Sequence, residues 1–205
     1  PFAAIDPVVR DELQAEILRL QDELHKTVVF VTHDIDEALK LGDRIAVFGR
    51  GGVLQQYDEP ARVLSNPAND FVSSFVGADR GYRGLQFRHA TGLPLQPLRQ
   101  VGEDGIDALD LADGEWLLVT KPDGSPYGWV DAAGVAAHRG GASLYDSTTA
   151  GGSLFPPDGS LRQALDAALS SPSGLGVAVE EDGRVAGGVR ADDVLAALEK
   201  QRNGG

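Results

Sequence analysis

The sequence contains no cysteine, which excludes disulfides and thiolate metal sites and fits a cytosolic protein. It also has no apolar run of the roughly 20 residues that a membrane-spanning helix needs. The first ten residues, PFAAIDPVVR, lack the basic start and apolar stretch of a secretory signal. We therefore expect no direct insertion into a membrane. Because the chain does not begin with Met, we expect it to be a piece of a longer protein.

Basic side chains are also scarce, with 18 Lys and Arg against 31 Asp and Glu and a net charge of −13. Such a charge opposes non-specific binding to nucleic acid, so no nucleic-acid partner is expected. The hydrophobic fraction of 42% is enough for packed cores. A length of 205 residues suits one large domain or two small ones.

Residues 1–80 are predicted to alternate helices and strands, the order of an α/β fold. Asp6 followed by Pro7 is typical of a helix N-cap with proline at the first helical position. Apolar residues then recur at helical spacing: Leu13, Ile17, Leu20 and Leu24. The run TVVFV (27–31) predicts a strand covered on both faces. Asp34 is predicted to cap a second helix, and RIAVF with VLQQY beyond it predicts a hairpin.

His33 stands where the predicted buried strand ends. In open α/β sheets, ligands bind beyond the carboxyl ends of the strands, where an imidazole can donate to a phosphate or orient a water. Position alone leaves a second interpretation open, in which His33 only caps the strand. An unrelated α/β hydrolase using His33 is disfavoured, because the sequence has neither a G-x-S-x-G elbow nor a cluster of metal ligands.

The motifs around Asp6 and His33 resemble those of ABC transporter ATPase subunits. PFAAIDP (1–7) is similar to the family's D-loop, and VVFVTHD (28–34) is similar to the segment with its switch histidine. The resemblance implies that Asp6 faces the partner subunit's nucleotide and that His33 contacts the γ-phosphate. The segment at 66–87 resembles the end of the ATPase domain in importers of glycine betaine, choline and proline.

Several parts that ATP hydrolysis needs are missing from the sequence. No G-x-x-x-x-G-K-[ST] phosphate loop occurs, and the family's signature loop is also absent. The resemblance would place the catalytic Glu directly before Pro1. We therefore expect ATP and Mg²⁺ to be cofactors of the complete subunit, an ABC-type ATPase, and expect no ATPase activity in this chain.

The second half of the sequence contains a repeat. Residues 92–135 match the residues 59 positions further along without a gap, so that WLLVTKPDGSPYGWV (116–130) falls on LGVAVEEDGRVAGGV (175–189). Each copy predicts strand, helix, strand, Asp-Gly turn, strand and helix. We predict repeats over 81–140 and 141–205, following the ATPase piece over 1–80.

This duplicated β-α-β-β-α unit resembles a tandem CBS pair, also called a Bateman module. Such pairs commonly bind adenine nucleotides through a G-h-x-[ST]-x-x-D pattern. The resemblance implies a half-site in the second copy for an adenine nucleotide or a cyclic dinucleotide. Its residues would be Gly187, Gly188, Arg190 and Asp193. No metal site is expected.

In this half-site Asp193 would bind the ribose, Arg190 would replace the usual phosphate-binding hydroxyl, and the glycines would let the backbone approach the base. The first copy is degenerate, because Asp131 lies near the phosphate position and Gly134 replaces the ribose carboxylate. A simpler interpretation of Asp193 is a helix N-terminal charge favoured by the helix dipole.

The expected fold class is thus α/β, with the C-terminal part of an ABC ATPase domain followed by a CBS pair. The expected function is regulation within the ATP-binding subunit of an importer for quaternary amines or proline. The subunit would form a homodimer, and a permease would hold it at the cytoplasmic face of the membrane. The alternative is a stand-alone CBS-pair protein that senses adenine nucleotides or dimerises. An upstream reading frame encoding a phosphate loop in continuity would separate the two.

Overall fold

A computed structural model describes residues 5–203, which fall into two compact units, Pro1–Gly84 and Leu85–Gly205. The first four residues of the predicted D-loop lie outside the described residues. No helix within 5–203 combines the length and hydropathy that crossing a bilayer requires.

The first unit alternates short helices with one antiparallel hairpin. Its elements are α1 (Pro7–Leu24), α2 (Ile35–Leu41), β1 (Ile45–Phe48), β2 (Leu54–Asp58), α3 (Pro60–Ser65), α4 (Asp70–Val76) and α5 (Arg80–Gly84). The predicted caps are confirmed: the backbone N–H of Val8 donates to Asp6 Oδ1 at 3.0 Å, and that of Asp36 donates to Asp34 Oδ1 at 2.8 Å. The predicted hairpin is also confirmed, since β1 pairs with β2.

The strand predicted at 27–31 does not form, and this prediction was wrong. No strand is assigned there, and Val29 and Val31 are 85% and 80% exposed. A strand of this composition is stable when neighbouring strands and helices cover it. In the described part of the chain, the two strands of the first unit pair with each other instead. The apolar stripe of α1 is uncovered in the same way, with Leu24 56% exposed.

The second unit contains two three-stranded sheets. Copy one comprises β3 (Gln100–Gly102), a 3₁₀ turn (Glu103–Ala108), β4 (Leu117–Thr120), β5 (Pro126–Val130) and α6 (Ala132–Arg139). Copy two comprises β6 (Leu154–Phe155), α8 (Leu161–Ser170), β7 (Leu175–Val179), β8 (Val185–Arg190) and α9 (Ala191–Asn203), and a short helix α7 (Leu144–Ser147) lies between the copies. Both copies therefore have the predicted order, with a 3₁₀ turn replacing the first helix of copy one.

The strand pairings show where the repeat is regular. In each copy the first strand is parallel to the second, and the second is antiparallel to the third. Val119 pairs with Gly128, and Ala178 pairs with Gly187, so both hairpin strands repeat at 59 positions as predicted. The first strands do not keep this spacing. Val101 pairs with Val119 and Phe155 with Ala178, which places the equivalent residues of β3 and β6 54 positions apart.

This difference corrects the gap-free alignment. The match between GLPLQP and GGSLFP does not reflect equivalent positions in the fold, because five extra residues lie between the first strand and the hairpin of copy two. The reason is local. The shared glycine, leucine and proline are turn and edge residues that recur readily by chance, whereas strand pairing fixes register.

The copies exchange the segments that lead into them. Gln96, which precedes copy one, pairs with Gly188 on the outer strand of copy two. Thr149, which precedes copy two, pairs with Trp129 on the outer strand of copy one. Each pairing consists of two backbone hydrogen bonds of 2.8–2.9 Å. Both edge strands are thereby covered by chain from the neighbouring part of the repeat.

Two hydrophobic clusters hold the second unit together. One lies within copy one and contains Ile106, Leu117, Val119, Val130 and Val135. The other joins the copies, because Leu118 and Trp129 of copy one pack with Val177 of copy two. Trp116 packs against the edge of this second cluster. The two copies thus share a core.

Candidate functional site

The predicted half-site of copy two lies where β8 ends and α9 begins. The backbone N–H of Arg190 donates to Asp193 Oδ2 at 3.3 Å. Asp193 is the third residue of α9, so its carboxylate makes the backward hydrogen bond of a capping box. The Arg190 side chain is exposed and Asp193 is half-buried. This contact agrees with the simpler interpretation, in which Asp193 stabilises the N-terminus of the helix. It leaves the second carboxylate oxygen of Asp193 and the guanidinium of Arg190 available to a ligand.

Gly187 and Gly188 are buried beneath the segment leading into copy one. A Cβ placed on Gly187 would lie 3.0 Å from the carbonyl oxygen of Gln96, and one on Gly188 would lie 2.5 Å from the Leu98 side chain. Both backbone polar groups of Gly188 are bonded to Gln96. The glycines admit a neighbouring stretch of the chain. Their predicted approach to a base stays a prediction, and the side chains of the candidate half-site are those of Arg190 and Asp193.

Gly128 in copy one, like Gly187 in copy two, lies close to the backbone of the segment that leads into the other copy. A Cβ on Gly128 would lie 2.9 Å from the carbonyl oxygen of Thr149. The close approach of the exchanged segments requires the glycine that the two copies share.

The corresponding turn of copy one is closed. Asp131 caps α6 by accepting the backbone N–H of Gly134 at 2.8 Å. Gly134 takes the position that Asp193 has in copy two, and a Cβ there would lie 2.2 Å from the carbonyl oxygen of Ser147, at the end of α7. Because α7 fills this space, copy one offers no ribose carboxylate and no room for one.

Asp6 and His33 occupy separate surface positions in the first unit. The Asp6 carboxylate is the N-cap of α1, and His33 lies exposed in a bend before α2. The two side chains make no hydrogen bond or ion pair with each other. Because the strand at 27–31 is absent, His33 does not stand at the end of a buried strand as predicted. Within residues 5–203, neither side chain adjoins a phosphate-binding loop.

A groove of about 630 Å³ in copy two was not predicted from the sequence. Phe155 and two prolines line it, and its other side chains include four carboxylates: Asp158, Glu180, Glu181 and Asp182. No basic side chain lines it, so the groove repels phosphate groups. The acidic turn EEDG was the signal that could have indicated it. Among the described residues no group of three or more His, Asp or Glu side chains could hold a metal ion.

Comparison with known proteins finds similarity to ATP-binding subunits of osmolyte importers. No protein-family model matches the chain. The osmoprotectant import ATP-binding protein OsmV of Salmonella typhimurium is 35% identical over 98% of this chain and 54% of its own length. The glycine betaine uptake system ATP-binding protein YehX of Escherichia coli is 40% identical over 59% of this chain and 39% of its own length. The chain is thus similar to the C-terminal region of osmolyte-importer ATP-binding subunits.

The chain spans about half the length of OsmV and 39% of the length of YehX. A carnitine transport ATP-binding protein of Listeria monocytogenes, OpuCA, is 55% identical over 39% of this chain and 20% of its own length. Among solved structures, the cystathionine β-synthase pair domain of a proposed Mg²⁺ transporter from Shewanella oneidensis covers 65% of this chain at 12% identity, with a TM-score of 0.39. The duplicated mixed α/β fold of the second unit is established by its own strand pairings.

Proposed function

We propose that this chain is the C-terminal regulatory part of the ATP-binding subunit of an ABC importer for osmolytes such as quaternary amines. The 35% identity to OsmV across 98% of the chain carries the proposal. Residues 1–80 would complete an ATPase domain, and residues 81–140 and 141–205 would form a CBS pair. The complete subunit would hydrolyse ATP with Mg²⁺ and couple it to uptake. It would work as a homodimer against a permease at the cytoplasmic face of the membrane.

The residues of this chain alone do not make a site for ATP and Mg²⁺. Asp6 is occupied as a helix cap, His33 is exposed, and the sequence has no phosphate loop. No catalytic step is therefore assigned to either residue here. The pure chain should release no phosphate from ATP above a buffer blank, and release that persists in an Asp6→Ala variant would contradict the assignment to this family of ATPases.

We further propose that the regulatory site is the Arg190–Asp193 turn of copy two. An exposed guanidinium can pair with a phosphate, and the free oxygen of a half-buried carboxylate can accept a ribose hydroxyl. The turn at Asp131 and Gly134 in copy one is closed by α7. The ligand would thus be an adenine nucleotide or cyclic dinucleotide, with one adenosine group bound per chain.

Calorimetry with ATP, AMP and a cyclic dinucleotide, at low and high salt, tests this site. Asp193→Asn is the informative variant, because its amide oxygen can still accept the Arg190 N–H while the charge is lost. Asp131→Asn is the matched control, since it likewise keeps its helix cap. We expect wild type and Asp131→Asn to bind equally and Asp193→Asn to bind at least about tenfold more weakly, as the loss of one hydrogen bond to a charged group implies. Two bound ligands per chain, or unchanged binding by Asp193→Asn, would place the site elsewhere.

A second candidate function is a stand-alone CBS-pair protein. It is favoured by the compactness of the unit Leu85–Gly205 and by the core that its two copies share. An upstream reading frame that encodes a phosphate loop in continuity with Pro1 would decide for the importer subunit. A start codon close to Pro1 would decide for the stand-alone protein.

A further inference from the structure

The chain leaving the first unit is bound to copy two before it enters copy one. The first unit ends at Gly84, and a 3₁₀ turn, Leu85–Phe87, begins at the next residue and packs against α8. The following residues form a short antiparallel pairing with the start of α8. Its hydrogen bonds are Ala90 N to Gly159 O and Leu161 N to Arg88 O, both at 2.7 Å. The side chain of Gln201 on α9 also donates from Nε2 to His89 O at 3.0 Å.

A second anchor lies further along the same segment. After a turn in which Gly92 has a φ of 86°, Gln96 donates to Gly188 O at 2.9 Å and accepts from Gly188 N at 2.8 Å. Main-chain pairing with copy one begins only at Arg99, whose carbonyl accepts the N–H of Leu118. Copy two therefore holds residues 85–97 at two places.

The second anchor adjoins the candidate half-site. Gly188 lies two residues before Arg190 on β8, and Arg190 is bonded to Asp193. A ligand that moves this turn therefore moves the backbone groups that hold Gln96. The equivalent pairing in copy one, Thr149 with Trp129, involves the segment that leads into copy two and not residues 85–97.

We propose that residues 85–97 form a strap through which copy two, and not copy one, holds the chain that leaves the first unit. This proposal rests on the proposed function in one respect, namely that a nucleotide bound at Arg190 and Asp193 changes the conformation of copy two. Coupling of this kind is reciprocal, so changes that loosen the strap also change the turn at Arg190.

Amide hydrogen exchange on the whole chain tests the strap. Gln96→Pro removes the N–H that bonds to Gly188 O. Thr149→Pro is the matched control, since it removes the equivalent N–H that bonds to Trp129 O in copy one. We expect Gln96→Pro to speed exchange roughly tenfold at residues 80–90 and 159–161, the factor given by losing one or two backbone hydrogen bonds. Thr149→Pro should leave exchange there unchanged.

Faster exchange in Gln96→Pro that is confined to the immediate neighbours of Gln96 and Gly188 would overturn the proposal. So would an equal effect of Thr149→Pro at residues 80–90. If circular dichroism shows that Gln96→Pro is unfolded, Gln201→Ala replaces it, because it removes only the side-chain bond to His89 O. Faster exchange at Gly188 in this variant supports coupling between the two anchors, and an effect limited to residues 88–90 refutes it.

A ligand arm separates failure of the strap from failure of the proposed site. With AMP as the probe, calorimetric binding accompanied by slower exchange at residues 85–97 supports the strap. Binding without any change in exchange there overturns it. If AMP, ATP and the cyclic dinucleotide all fail to bind, the proposed half-site is refuted, and the Gln96→Pro and Thr149→Pro comparison still decides whether the strap exists.

Discussion

Replacing Gly134 by alanine adds one methyl group to α6 and tests whether copy one is closed. The new Cβ would lie 2.2 Å from the carbonyl oxygen of Ser147 and 3.0 Å from a methyl group of Val130. Because non-bonded atoms pack at roughly 3.5–4 Å, the end of α7 must retreat by about 1 Å. Ser147 is 3% exposed, so this retreat disturbs a packed region.

The expected loss of stability follows from two opposing terms. Alanine is favoured over glycine in a helix by up to about 1 kcal/mol. Overpacking a well-packed site costs roughly 1–3 kcal/mol. An approach of 2.2 Å is severe, so the cost should lie at about 2–3 kcal/mol, and the net free energy of unfolding of the second unit should fall by about 1–2 kcal/mol. With a urea dependence of about 2 kcal/mol/M, the midpoint should fall by about 0.5–1 M.

Tryptophan fluorescence in urea measures this change selectively. The sequence has two tryptophans, Trp116 and Trp129, and both lie in the second unit. Gly81→Ala is the control, because a Cβ on Gly81 of α5 meets nothing within 4 Å and the residue lies in the first unit. Its tryptophan midpoint should equal that of wild type. An unchanged or higher midpoint for Gly134→Ala would show that α7 yields freely and that the turn of copy one is open.

Two further predictions concern other parts of the chain. The exposed segment at 27–31 should promote self-association, so Val29→Lys should lower the dimer fraction in sedimentation velocity. An unchanged dimer fraction would show that this segment does not cause self-association. Burial raises the pKa of Asp166 on α8, so the folded state holds a proton that the unfolded state releases. Stability should therefore fall as pH rises from about 4 through the raised pKa, and Asp166→Asn should flatten this dependence in urea titrations at several pH values.

The features that depend on a few neighbouring residues were predictable. Asp6 and Asp34 each cap the helix that their sequence context indicated. The hairpins of both copies follow from alternating strands around Asp-Gly turns. These signals are local, so their outcome does not depend on how distant parts of the chain fold.

The features that depend on distant residues were not predictable from the pattern. Gln96 meets Gly188 across more than ninety positions, and no periodicity marks that pairing. The close approach of the Gln96 backbone to Gly187 could therefore not be predicted from the sequence. The strand predicted at 27–31 does not form, because an apolar segment of this kind needs neighbouring strands and helices to cover it. The pattern of the segment itself does not show whether those neighbours are present.

The exchanged lead-in segments have a consequence for any single repeat made on its own. A polypeptide limited to one copy would keep its lead-in but lose the edge strand that this segment covers, and its own outer strand would stay open. Two molecules of the same repeat could repair both defects by donating their lead-ins to each other. Isolated repeats should therefore form domain-swapped dimers. Gene duplication would have converted that intermolecular exchange into the internal one seen here.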